Sequence, residues 1–594
     1  MCRLLDVFRL TLSGTGALVL VACSAVPSTT SQPAAQTPPP KPAVQLPAKQ
    51  AEASQPAPAK QATGEESNLS PELLYRLLTA EIAGQRGHIN TAVKQYLAAA
   101  KESRDPVIAE RATRIAVYAR DNTSAREAAE LWSKLQPHSI EANQVAAAMY
   151  VRAGDIKQAT AHLEQVIADS KRGDRSTFML ITALLSKEKD KKVALQVMEQ
   201  LTATRQDNPE ALYAYAQLAL LVGDLDKAQQ LAERVRSLRP DWADTHILLS
   251  GILYRQGHKV EAMASLKSAV EQYPDNATLR DYYARRLVDE KNYKEARVQF
   301  QRLLDNAPDN HEAEYALGLL AMQLHDLDEA ESHFEHLVDI KNRVHEASYY
   351  LGQIAEQRDK PEAAIHWYEA VTGGQYQIDA QIRIALLEAR MGKLDRARER
   401  LHEIQPESAE MEQRLYLVEG EILNEAKQYQ EAFDLYNEAL GKMPDNLSLL
   451  YARALSAEKL DRTDIALADL KKIVEAEPDN VQALNAYGYT LVDRTKRIKE
   501  GYDYIQRAYK MKPDDPAILD SMGWANYRLG KYPEAIKYLR QAIGTLKDPE
   551  IAAHLGEVLW VSGDHAQARD VWEAALRETP SHKALLDVIK RFTQ

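Results

Sequence analysis

Covalent chemistry needs nucleophiles, metal ligands or paired acids, and this chain offers few of them at usable spacing. Its 594 residues hold two cysteines, Cys2 and Cys23, and none beyond. A body without thiols is neither a disulfide scaffold nor a cysteine-ligated zinc domain. One histidine pair, His333 and His336 in "HFEH", stands at helical spacing and offers an edge for a metal. Phe334 beside them fits a core position, so a solvated helix face is the plainer reading and no metal site is expected. The 86 Asp and Glu residues make neighbouring acids unavoidable, and no pair stands out. HExxH, GxSxG, a P-loop and a strand followed by GxGxxG are all missing, and strand signals are scarce. A non-enzyme without cofactor is expected. The net charge of −12 argues against nucleic acid or an anionic lipid surface as a general partner.

Cys23 has its own context. Arg3 and Arg9 precede a short apolar run from Leu10, interrupted by Thr and Ser and too short to cross a bilayer comfortably. This is the layout of a secretory signal peptide over residues 1–22, although Asp6 is atypical there and points to a start further downstream. Leu20-Val21-Ala22-Cys23 resembles the lipobox of bacterial lipoproteins. The resemblance implies cleavage between Ala22 and Cys23, diacylglycerol on the Cys23 thiol and acylation of its new amino group. An ordinary signal peptide cut after an alanine, or an unprocessed helix, are the other readings. Several acyl chains, at about 0.8 kcal/mol per buried methylene, anchor a protein stably. Ser24 in place of Asp after the cysteine implies sorting to the outer membrane. Residues 23–66 are dominated by Pro, Ala, Gln and Ser, a composition that cannot fold and reads as a tether. At about 3.1 Å per residue it would reach on the order of 130 Å.

The elements that must carry any site are read from a repeat. Small residues recur from Ala92, Ala125, Ala159 and Ala194 to Ala535 and Ala568, always 33, 34 or 35 residues apart, with Gly501 as the one departure from alanine. Gly87, Gly154, Gly223, Gly257, Gly392, Gly530 and Gly563 fall where a turn should end a first helix. Four residues beyond the small slot come large ones such as Tyr96, Phe300, Phe334, Tyr368, Tyr436 and Trp572, one turn along the same face. "PDN" at 274, 308, 444 and 478 stops one helix and caps the next. A helix–turn–helix unit of about 34 residues is the tetratricopeptide repeat (TPR). The expected fold is an all-α superhelical TPR solenoid of about fifteen repeats over residues 67–580, closed by an amphipathic capping helix at 581–594. Two units depart from the pattern. Residues 175–208 lack the turn glycine and carry "LSKEKDKKVA", and the unit at 481–515 has one inserted residue.

Such a stack lines a groove with its first helices and suits peptides, helices or whole domains. Counting from each repeat start places Tyr213, Tyr451, Tyr489, Trp524, Tyr527 and Arg528 on that inner face. They read either as partner anchors or as packing against the adjoining helix. The basic stretches "SKRGDRS" (170–176) and "RTKRIK" (494–499) read as solvated turns rather than docking sites. No adjacent units show the Lys and Asn pattern of chaperone-binding carboxylate clamps.

The lipobox, the Pro-rich tether and repeats that include "NAYGYTLVDR" and "PAILDSMGWANYRLGKYPEAI" resemble outer-membrane TPR lipoproteins that act as adaptors for carboxyl-terminal processing proteases. The resemblance implies a periplasm-facing scaffold with a serine protease and its substrates, peptidoglycan cross-link hydrolases, as partners. The alternative class is an assembly factor for exopolysaccharide export, a pilus secretin or outer-membrane protein insertion. A TPR-bearing glycosyltransferase would need a catalytic domain for which no residues remain.

Overall fold

Small side chains at a fixed interval matter because they let two helices approach closely. In the computed structural model, which describes residues 70–593, this interval produces 31 helices and no strand. Thirty of them form fifteen hairpins, each with a first (A) and a second (B) helix. The described residues fall into two compact units that divide between Asp309 and Asn310. The first holds seven hairpins, from Pro71–Gln85 to Tyr293–Asn306. The second holds eight, from His311–Gln323 to His565–Glu578, and the final helix Lys583–Thr593. The lipobox, Cys23, Ser24 and the tether lie outside the described residues. No described helix is long and apolar enough to cross a membrane.

The recurring alanines are buried throughout, from Ala92 to Ala568. Opposite them, glycines in several A helices receive a B-helix side chain from sixteen residues downstream. A Cβ on Gly318, for example, would lie 2.8 Å from the Phe334 ring. The approach is closest between Val481–Arg494 and Ile498–Met511. A Cβ on Gly488 would stand 2.7 Å from the Gly501 carbonyl oxygen, and one on Gly501 would stand 2.8 Å from Val492. Gly501 therefore departs from alanine because the two backbones nearly touch.

Helix ends follow from the same local chemistry. The turn glycines take positive φ, and where glycine is lacking Arg120, Lys291, His325, Asp359, Lys427 and Asp461 take it instead, at φ 55 to 61°. The following amide then reaches back to a carbonyl of the A helix, as Asn292 N does to Leu287 O at 2.8 Å. In each PDN triplet the asparagine caps the next helix, with Asn276, Asn310, Asn446 and Asn480 accepting from the amide three residues on.

The unit at 175–208, with neither a turn glycine nor a left-handed residue in its place, is more than a local change of pitch. No residue from 187 to 190 takes positive φ, so its helices leave the turn at another angle. Asp174–Ser186 lies along Pro209–Val222 and Lys191–Ala203 along Ile156–Asp169, with only slight contact between the pair itself. Glu188 is buried in this turn, held by Arg152 at 2.8 and 3.0 Å. At the other end of the chain, Lys583–Thr593 sets Leu585 fully into the last hairpin, with Val588, Ile589 and Phe592 around it.

Candidate protein-interaction face

Successive A helices place residues of the same register one repeat apart on a common face. Three of them, Val481–Arg494, Pro516–Arg528 and Pro549–Val561, assemble a connected aromatic and acidic surface within the second unit. His554 sits at its centre. Its Nδ1 donates to the Asp520 carboxylate, at 2.9 and 3.0 Å from the two oxygens, and its ring stacks on Trp524 at 4.2 Å. Trp524 Nε1 donates to Asp493 Oδ1 at 3.0 Å, while Arg528 donates to the Asp493 carbonyl at 3.0 Å. Tyr527 lies 5.0 Å from Trp524, and its hydroxyl donates to Glu557 Oε1 at 3.0 Å. Glu557 is also paired with Arg591 of the capping helix, so the cap helps to fix the face.

Electrostatics follow from this arrangement. Burial disfavours the imidazolium of His554, yet the Asp520 carboxylate outweighs that cost and holds its pKa above the ordinary value. Burial and the Glu557 carboxylate push Tyr527 up to about 12, so it stays a neutral donor.

The six residues placed on the inner face by counting do not share one fate. Tyr489, Trp524, Tyr527 and Arg528 come together, with Tyr489 6.4 Å from His554. Trp524 is only 8% exposed, so its ring is oriented by neighbours as much as it is offered to solvent. Tyr451 is half-buried on the preceding A helix Leu447–Lys459, and its hydroxyl has no hydrogen-bond partner among the described residues. Tyr213 belongs to the first unit and is buried against Trp242 at 4.7 Å. It is a packing residue in this conformation, and burial raises its pKa to about 12.

Counting missed the polar partners, Asp493, Asp520, His554 and Glu557, and also Asn485, whose buried Oδ1 has no hydrogen-bond partner among the described residues. The available signal was the repeat register itself, since Asp520 and His554 stand 34 residues apart. Tyr489, Tyr527 and Arg528 stay partly exposed, and aromatic and arginine side chains held in place by neighbouring acids are suited to contacts with another polypeptide.

The other stretches noted for their chemistry are internally occupied. His336 Nδ1 lies 2.6 Å from the buried Glu314, with His333 at 3.9 Å from the same oxygen. Among the described residues, no group of three or more His, Cys, Asp or Glu side chains is arranged to hold a metal ion. In the basic stretches, Arg175 pairs with Asp244 and lies over Trp242, Arg494 pairs with Asp461, and Arg497 pairs with Glu500.

Hairpins of this length, with small residues at the A–B contact and left-handed turns between them, define a repeat protein built for contacts with other proteins. Family models described as tetratricopeptide repeat match residues 185–252, 219–285, 253–322 and 287–351, and again 382–446, 451–516 and 521–583. The chain belongs to the tetratricopeptide-repeat family. It is 35% identical over 493 residues to the TPR repeat-containing protein PA4667 of Pseudomonas aeruginosa, covering 82% of this chain and 83% of that one. Among solved structures it is similar to the APC/C hetero-tetramer Cut9–Hcn1, with 14% identity, 89% of this chain and 97% of that chain covered, and a TM-score of 0.31. It is also similar to TTC0263, a thermophilic TPR protein of Thermus thermophilus, with 23% identity, coverage of 30% and 95%, and a TM-score of 0.28.

Proposed function

We propose that this TPR scaffold is an outer-membrane-anchored, periplasm-facing adaptor that binds a carboxyl-terminal processing protease together with its substrates, peptidoglycan cross-link hydrolases. In that reading the chain performs no chemistry itself. It resembles LbcA, the lipoprotein partner of the protease CtpA, in its lipobox, tether and repeats. The observation that carries the reading is the aromatic and acidic surface on Val481–Arg494, Pro516–Arg528 and Pro549–Val561, where Tyr489, Tyr527 and Arg528 stay partly exposed. Holding protease and substrate on one scaffold raises their effective concentration without a new catalytic group.

Capture of membrane proteins by the tagged full chain, followed by mass spectrometry, tests this. A processing protease with cell-wall hydrolases in the eluate supports the adaptor. Secretin, exopolysaccharide-export or outer-membrane insertion subunits without a protease would reject it. Tyr489→Ala and Arg528→Ala should each weaken capture by about tenfold while leaving the helical content unchanged. The anchor is tested separately by Cys23→Ala, which should release the protein from the membrane fraction.

A further inference from the structure

The two terminal hairpins differ in one respect. The last is covered by Lys583–Thr593, whereas the first A helix, Pro71–Gln85, presents an apolar row to solvent. Leu74, Leu78 and Ile82 are 47%, 53% and 49% exposed, and Tyr75 beside them is 67% exposed. Spaced four residues apart, the three aliphatic side chains form a single ridge along the helix.

The ridge is symmetric about Leu78. If a second copy of the helix is laid against it antiparallel, with the two-fold axis at Leu78, Leu74 of one copy meets Ile82 of the other and Leu78 meets its own counterpart. The end charges fall about 3 Å from register on the same axis, within the reach of an arginine side chain. Glu72 and Arg86 stand six residues before and eight after Leu78, both are exposed, and neither makes an ion pair among the described residues. Antiparallel pairing brings each Glu72 alongside the other copy's Arg86, at both ends of the ridge. Arg76 and Glu81, nearer the centre, are already used within the chain by Glu102 and Arg111.

We infer that two copies of this chain associate through Pro71–Gln85 in an antiparallel, two-fold pairing centred on Leu78. A single helix face is smaller than the roughly 800 Å² per partner of a standard interface, so this is a reversible contact in the micromolar range or weaker. An isologous contact of this kind closes on itself and does not propagate into fibres.

Sedimentation velocity of the full chain from low micromolar to near-millimolar concentration should show a monomer–dimer equilibrium. Leu78→Arg should shift its midpoint by more than about tenfold. Glu72→Arg and Arg86→Glu should each weaken the dimer, and the double exchange should restore it, because the axis pairs one site with the other. In a background with Cys2 and Cys23 replaced by alanine, Leu78→Cys should give a disulfide-linked dimer on mild oxidation, whereas Tyr118→Cys should not. A chain that stays monomeric throughout overturns the inference. So does a dimer indifferent to both Leu78→Arg and the charge exchange, which would place the contact elsewhere.

Discussion

His554 is the side chain on the candidate face that titrates nearest neutral pH. It donates a partly buried hydrogen bond to Asp520 and stacks on the Trp524 ring, and its pKa is raised in the folded protein. A raised value means that folding favours the imidazolium, so the stabilisation is complete below the unfolded pKa of about 6.5. It is lost as pH rises through the folded value. Thermal melts from about pH 6 to about pH 8.5 should therefore show the second unit losing stability with rising pH, and Asp520→Asn should flatten that part of the profile. Unchanged slope in the Asp520→Asn protein would remove the pair from the account. The aromatic half of this face was legible in the sequence, since Tyr489, Trp524 and Tyr527 announce themselves by type and register. The polar half was not, because Asp493 meets Trp524, and Asp520 meets His554, across 31 and 34 residues. A carboxylate on an exposed helix and one aimed at a neighbouring repeat read alike until the helices are stacked.

At the level of elements, the hairpin was legible almost residue for residue, because its determinants are local: a small slot, a left-handed turn and an asparagine cap. What the pattern concealed is where its exceptions have causes. Consensus reasoning would restore alanine at Gly501, yet the Gly488 and Gly501 backbones leave no room for a methyl group. Gly501→Ala should destabilise the protein by about 1–3 kcal/mol, measured as a lower urea midpoint, despite the better helix propensity of alanine. A neutral or stabilising result would show that the helix pair can separate at no cost. The reverse repair should succeed at a turn. Lys427 holds φ 61°, so Lys427→Gly relieves left-handed strain and should stabilise by about 0.5–1 kcal/mol after the added chain entropy is subtracted. The opened hairpin at 174–203 showed in the sequence only as a missing glycine and the stretch "LSKEKDKKVA", although other hairpins lack the glycine and still close. That its two helices pack on their outer neighbours instead of each other depends on contacts between repeats, which no single repeat encodes.

Over the whole chain, stability in a stack of hairpins is a sum of nearest-neighbour terms, and a terminal repeat is held on one side only. The final helix supplies the missing side for Pro549–Val561 and His565–Glu578 by burying Leu585 and packing Val588, Ile589 and Phe592. It also presents Arg591 to Glu557, the carboxylate that positions Tyr527 on the candidate face. Ending the chain after Pro580 should lower the local opening free energy of the last hairpin by on the order of 3 kcal/mol, given about 1.5–3 kcal/mol for each fully buried apolar side chain. Hydrogen exchange should then show protection falling in residues 549–578, less in 516–545, and not at all in residues 71–306. Partner capture through Tyr527 and Trp524 should weaken in step, although no contact residue has been altered. A uniform loss of protection over the entire chain would mean that the repeats unfold as one cooperative body, and the nearest-neighbour account would have to be abandoned. Protection that declines only near the cut, together with weaker capture, would instead mark the cap as part of the binding surface's support.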